Sequence, residues 1–213
     1  MRAPISNDRP STSRRPCLLV IAAGASRRFG GRPKALLEVD GEPAVRRVLR
    51  AARSAGLEDA VIVVGPHGVP IRAALAGDPA RIVPNDDWEL GRTGSIQAGL
   101  REIEADRDVL LWPIDYPFVQ ANTVRELEGA AHRDPVAAWI MPTFEGRGGH
   151  PVWLTPAATR LVPGLTPDAS LRLLIPRLGV QVLRVPTTDP WVRIGTDTPD
   201  EYEAATGRRR RER

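Results

Sequence analysis

Six short apolar runs, separated by stretches of helical periodicity, limit this chain more than any single residue does. The runs are Cys17–Ala23, Ala60–Gly65, Arg81–Pro84, Val109–Ile114, Val136–Met141 and Val180–Val185. Amphipathic patterns lie between them at Pro43–Ala55, Val69–Ala76, Thr93–Ala105, Asn122–His132 and Ala169–Leu178. A continuous apolar run suits a strand buried on both faces, and regular alternation with helices implies right-handed βαβ units. The expected fold is α/β: a single doubly wound, mostly parallel sheet with helices on both faces. Pro142–Leu154 breaks the rhythm, and its glycines and short Val152–Leu154 run predict a β-hairpin flap reaching over the sheet. The 213 residues suffice for one well-buried domain and leave little for a second.

The formal charge of +4 is a property of the two ends. Residues 1–16 carry Arg2, Arg9, Arg14 and Arg15 against Asp8, and residues 207–213 carry a run of arginines against Glu212. Removing both leaves the body, residues 17–206, net negative. The expected organisation is therefore a flexible extension over 1–16, one domain over 17–206 and a basic disordered tail over 207–213. No aromatic residues interleave with the terminal arginines, so a base-stacking surface for nucleic acid is not expected.

A single cysteine, Cys17, excludes an intrachain disulfide and a cysteine-rich zinc site. The stretch from Arg14 to Ala25 has the outline of a short secretion signal, but Ser26–Lys34 continues a coherent motif across the would-be cleavage point. With no run near the roughly 18 apolar residues of a membrane span, a cytoplasmic protein with no membrane partner is expected.

In open α/β sheets ligands bind at the carboxyl ends of strands, so residues just after each run come first. After the first run stands Ala22-Ala23-Gly24-Ala25-Ser26-Arg27-Arg28-Phe29-Gly30-Gly31-Arg32-Pro33-Lys34. The spacing is neither that of a Walker loop nor that of the dinucleotide fingerprint. Small residues still let the backbone approach a base or phosphate, with free amides as donors. Lys34 is the only lysine among 30 basic residues, which points to a position where a compact charge on a flexible stem is needed. The same segment also reads as a glycine-rich surface loop with solvated charges. Asp115 follows the most hydrophobic run, where a carboxylate has a desolvation cost that a magnesium ion would offset; a turn-capping aspartate is the other reading. Asp197 precedes a helix start with Thr198 as cap, Pro199 first and Glu201 third, so it is either a ligand or part of the cap.

These residues resemble the signature of the MobA-like nucleotidyltransferases, the family of the molybdenum cofactor cytidylyl- and guanylyltransferases. That signature is a strand, then A-[AG]-G-x-S-x-R-[MF]-G, then a lysine. Further blocks fit in order: Asn85 to Ile96, Asp115-Tyr116-Pro117, Gly149-His150-Pro151 and Asp197-Thr198-Pro199. The resemblance implies nucleotidyl transfer from an NTP to a small phosphorylated acceptor with release of pyrophosphate. It implies catalytic roles for Lys34, Arg28 and Asp115, and a Mg2+ site at Asp115 and Asp197. Ala22, Ala23, Gly24, Ser26, Arg28, Lys34, Asn85, Gly91 and Ser95 become candidate nucleotide contacts, with His150 on the acceptor side. Gly91 and Gly94 would keep their turn open. Ile114 departs from the small residue that often precedes the family's aspartate. Ala23 resembles the cytidylyl branch, which favours CTP and molybdopterin as acceptor; sugar phosphates and phosphocholine are acceptors elsewhere in the family. A molybdoenzyme-maturation protein is the candidate protein partner, and a silent nucleotide-binding accessory protein is the alternative reading.

Overall fold

The computed structural model describes residues 15–178 and 181–211. An eight-stranded sheet is built from β1 (Cys17–Ala22), β4 (Ala60–Val64), β5 (Arg81–Pro84), β6 (Val109–Pro113), β7 (Trp139–Phe144), β8 (Arg147–Gly148), β9 (Val152–Leu154) and β10 (Val182–Pro186). A small separate hairpin pairs β2 (Glu38–Val39) with β3 (Glu42–Pro43). The helices are α1 (Ala44–Arg53), α2 (Gly68–Ala74), α3 (Arg92–Leu100), α4 (Ala121–Arg133), α5 (Pro156–Thr159), α6 (Ile175–Leu178) and α7 (Pro199–Arg211).

The sheet runs β10-β7-β9-β6-β1-β4-β5, with β8 paired to β7. β1, β4, β5 and β6 are parallel to one another, as is β10 to β7, and β9 runs antiparallel between β6 and β7. From β1 the chain winds outward through β4 to β5, then returns to lay β6 on the other side of β1. That reversal makes the carboxyl edge between β1 and β6 the topological switch point of a Rossmann-like doubly wound sheet, where a crevice opens for a ligand.

Burial on both faces follows from the strand sequences. Along β1, Leu18, Val20 and Ala22 enter one core while Cys17, Leu19 and Ile21 enter the other, the two-residue alternation of a strand. The first core is closed by α1 and α4, through Val45, Val48, Leu49, Val124 and Leu127. On the opposite face α3 and α5 supply Ile96 and Ala158, helped by Val162, Leu165, Leu174 and Leu178. Trp112 and Trp153 are fully buried, each burial being worth about 3 kcal/mol. Their indole N–H groups donate to Tyr116 O at 3.0 Å and to Asp108 Oδ2 at 2.9 Å.

Several expectations are corrected. The fifth run forms its strand at Trp139–Phe144, later than Val136–Met141, because Asp134 Oδ1 accepts the amides of Val136 and Ala137 in a turn. The expected flap over Pro142–Leu154 is only partly a flap. Residues 142–148 form the β7–β8 hairpin, but Val152–Leu154 lies inside the sheet, antiparallel between β6 and β7. Helix α3 ends at Leu100 and not near Ala105. Ala169–Leu178 is a 3-10 turn at Leu171–Leu174 followed by short α6; Pro176 starts a new turn and cannot continue the old one. The expected disordered tail is helical through Arg211, and Arg208 stacks over the Trp191 ring at 5.5 Å. The 1–14 part of the N-terminal extension, Val180 of the last run and residues 212–213 lie outside the described residues.

Candidate active site

The loop leaving β1 is folded by its own backbone. Ser26 takes a left-handed conformation (φ 53°), and its carbonyl accepts the amides of Phe29 and Gly31 at 2.9 and 3.2 Å. Its hydroxyl accepts the Lys34 amide at 3.0 Å, closing the loop where the lysine begins. His67, at the end of β4, bonds Ala25 O through Nε2 at 3.0 Å and fixes the loop to the next βα connection.

Lys34 then reaches across the switch point. Its Nζ donates to Asp115 Oδ1 at 2.8 Å and to Asp197 Oδ1 at 2.7 Å. Asp115 stands just beyond β6, whose last turn follows β1 through the Ile114 amide to Ile21 O at 3.1 Å. The Asp115 carbonyl accepts the Thr196 amide at 2.8 Å and hydroxyl at 3.1 Å, drawing Asp197 alongside. The helix cap has the expected form: the Asp197 and Thr198 amides donate to Glu201 Oε2, and the Glu201 amide to Thr198 Oγ1. The cap uses the Asp197 backbone and leaves its carboxylate to Lys34. Burial acts to raise the Asp197 pKa, yet the Lys34 bond and the charges of Lys34, Arg92 and Arg28 prevail and hold it below the usual carboxylate range.

These groups line a cavity of about 330 Å3 with Ala22, Gly24, Ser26, Arg28, His67 and Trp88. Arg92, at the start of α3, approaches Asp115 Oδ2 at 3.4 Å and also lines a second cavity of about 700 Å3. His150 lies in that second cavity. Its amide donates to Val192 O at 2.9 Å, and a Cβ on the preceding Gly149 would lie 2.3 Å from the same carbonyl, so only glycine permits this close approach. The His150 ring packs on Tyr116 with centroids 4.7 Å apart. Burial, then the charges of Arg92, Arg172 and Arg193, push its pKa down to about 4, so the ring is neutral at pH 7.

The remaining candidates sit differently. Asn85 Nδ2 donates to Ser95 Oγ at 3.0 Å, and neither residue, nor Gly91 or Ala23, lines either cavity among the described residues. Gly91 does not hold its turn open: at φ 142° it packs against the Pro167–Asp168 backbone, where a Cβ would lie 2.2 Å from Pro167 O. The Gly94 amide donates to that same carbonyl at 3.1 Å.

The profile of the MobA-like NTP transferase domain matches residues 18–182. The chain belongs to this family. The nicotine blue oxidoreductase of Paenarthrobacter nicotinovorans is 29% identical over 170 residues, covering 75% of this chain and 82% of that protein. The molybdenum cofactor guanylyltransferase of Pseudomonas paraeruginosa is 31% identical over 134 residues, 62% of this chain and 65% of that one. Rv0371c of Mycobacterium tuberculosis H37Rv superimposes with a TM-score of 0.79 at 25% identity over 92% of this chain and 100% of its own, and a structure of Rv0371C with manganese is also known. Matching GlmU proteins are far longer: the chain spans 24% of the one from Kineococcus radiotolerans.

The donor set of this family member fits a divalent cation. Two carboxylates from separate segments converge on one positive group, and the adjoining cavity leaves room for phosphate and water oxygens, the mixture a hard cation prefers. Among the described residues there is no group of three or more His, Cys, Asp or Glu that could hold a metal alone. Sequence reasoning missed Arg92, His67 and Trp88 as cavity residues. Arg92 and Trp88 stand within the Asn85–Ile96 block and carried that much signal; His67 carried none.

Proposed function

We propose that this NTP transferase-family protein transfers NMP from an NTP, CTP in particular, to a small phosphorylated acceptor, releasing pyrophosphate. The observation that carries the reading is the meeting of Lys34, Asp115 and Asp197 at the switch point. An ionised acceptor phosphate is already a nucleophile at neutral pH, so the protein needs no general base and must align reactants and stabilise charge. The loop at Ala22–Lys34 presents backbone and small side chains to the nucleotide. The Lys34 ammonium has three donors and uses two on the carboxylates; a cation taking those oxygens would free them for phosphate oxygens. Arg28 lines the same cavity and adds charge where pyrophosphate would leave. Asp115 and Asp197 would hold Mg2+, which when bound supplies Lewis-acid neutralisation of phosphate charge. Arg92 places its guanidinium between the two cavities, suited to hold the acceptor phosphate beside the nucleotide. Molybdopterin is the acceptor favoured by the sequence resemblance, and a molybdoenzyme-maturation protein the partner that would receive the product.

The test is thermal stabilisation by CTP, GTP, UTP and ATP with magnesium, paired with pyrophosphate release in the presence of candidate acceptors, using wild type and Lys34→Ala. A ligand at a hundred times its dissociation constant adds about 2.7 kcal/mol. The reading expects a CTP-selective shift in wild type that Lys34→Ala loses. Equal shifts with all four nucleotides would remove the CTP assignment, and the absence of any shift or pyrophosphate release would overturn the reading.

A further inference from the structure

We propose that the acceptor carries a second anionic group, set apart from its reacting phosphate by a flat apolar body, and that the second cavity recognises both features. The inference rests on the transferase reading and deepens it at the acceptor side.

Charge is the first observation. The ionisable acids and bases lining the second cavity, other than His150, are five arginines (92, 147, 172, 184 and 193) and one acid, Asp168, in a body that is net negative. Asp168 is fully exposed and accepts the Thr166 hydroxyl at 2.6 Å. Arg193 donates to Gly148 O. Among the described residues no carboxylate stands within ion-pair distance of Arg147, Arg172 or Arg184. Three unpaired guanidinium groups around one cavity repel each other unless an anion joins them.

Position is the second observation. Arg92 marks the end shared with Asp115, beyond β6. Arg184 is on β10, three strand spacings from β6, a lateral distance of about 14 Å. Arg184 pairs in register with Met141, and Val182 with Trp139, so Arg184 points to the same sheet face as those two. A phosphate held beside Asp115 by Arg92 leaves Arg184, on the far strand, for a second anionic group.

The floor between them is the third. It is apolar, with Ile96, Leu111, Trp139 and Met141. A flat apolar body would lie on this floor while its two charged ends reach Arg92 and Arg184.

The experiment uses the full chain and two probes with one body, biphenyl-4,4′-disulfonate and biphenyl-4-sulfonate, titrated by calorimetry at low salt. The disulfonate is expected to bind wild type at least about fivefold tighter than the monosulfonate. Arg172→Ala/Arg184→Ala should bring that ratio below about twofold while changing monosulfonate affinity little. Both side chains are exposed, and if the double variant fails to fold, each single variant must lower the ratio. Equal affinity for the two probes, or a ratio untouched by the substitutions, overturns the inference. Nucleotide stabilisation on the same samples separates the failures. A CTP shift without preference for the disulfonate refutes the second anionic site and spares the transferase reading. Arg184-dependent preference without any nucleotide shift upholds the polyanion site and removes the transferase reading.

Discussion

Replacing Lys34 by alanine tests the centre of the site in stability and rate together. The ammonium makes two charge-assisted bonds, 2.8 Å to Asp115 and 2.7 Å to Asp197. Such a bond is worth about 1.5–3 kcal/mol when well shielded. The Asp115 side chain is only 12% exposed and warrants the upper part of that range. The Asp197 side chain is 51% exposed, and solvent screening reduces its share to about 1 kcal/mol or less. Removing the cation also leaves two carboxylates facing each other across the space it filled. Lys34→Ala should therefore lose about 3 kcal/mol of unfolding free energy in urea without divalent cations. Added magnesium should restore more stability to the variant than it adds to wild type, because in wild type the cation competes with the ammonium for the same oxygens. Under conditions where the variant is folded, its transferase rate should fall about a hundredfold or more, as for loss of one transition-state donor. A stability loss below about 1 kcal/mol, or an identical magnesium response, would refute the geometry argued from the two short bonds. A rate loss smaller than about tenfold would refute the catalytic role.

His150 gives a pH signature. Its folded pKa, about 4, lies below the ordinary 6.5, so on acidification the unfolded chain takes up the proton first. Its contribution is complete above pH 6.5 and is lost as pH falls from there toward 4, by up to about 3 kcal/mol; urea unfolding at several pH values should show His150→Phe with a flatter slope. Gly91→Ala should cost at least about 2 kcal/mol, since the new Cβ meets Pro167 O and the φ is unsuited to a side chain. Gly24→Ala is the control: a Cβ there meets nothing within 4 Å, and melting should register a change below about 0.5 kcal/mol. Asp115→Asn should abolish magnesium-dependent stabilisation of the nucleotide complex while leaving the Trp112 environment, read by fluorescence, unchanged.

The parts of the fold visible in the sequence were those whose burial is written in continuous runs. Cys17–Ala22 and Ala60–Val64 form where the apolar pattern places them because parallel central strands need apolar residues on both sides. β9 was not visible as a sheet strand: Val152–Leu154 is too short for periodicity to tell insertion from overhang. Only its pairing with both β6 and β7 distinguishes the two. The arginine-rich end resembled a solvated tail because its anchor, the stacking of Arg208 on Trp191, joins positions that no local pattern links. The site divides in the same way. Asp115 stands just past a strand run and Asp197 just before a helix start, and Lys34 is unique in its composition, so each carried a local signal. Apart from Arg92, the arginines of the second cavity carried none, since this chain uses arginine nearly everywhere it needs positive charge.

The family's fold does not by itself decide the chemistry, because a relative named as an oxidoreductase and one named as a guanylyltransferase share this chain's pattern. The decision has to come from groups that one reaction needs and the other does not. Hydride transfer requires a cofactor ring against a carbon centre and has no use for two carboxylates gathered on one cation. Gathering Asp115 and Asp197 from beyond β6 and before α7 requires the Thr196 clasp on the Asp115 carbonyl and the Glu201 cap that frees the Asp197 side chain. That arrangement concentrates negative charge beside a loop that lines the cavity with Arg27, Arg28 and Lys34, the combination that phosphate oxygens and a divalent cation satisfy together. The discriminating result is therefore direct. Asp197→Asn with the helix cap intact should remove magnesium-dependent nucleotide binding in a transferase; an oxidoreductase would keep its cofactor affinity and turnover.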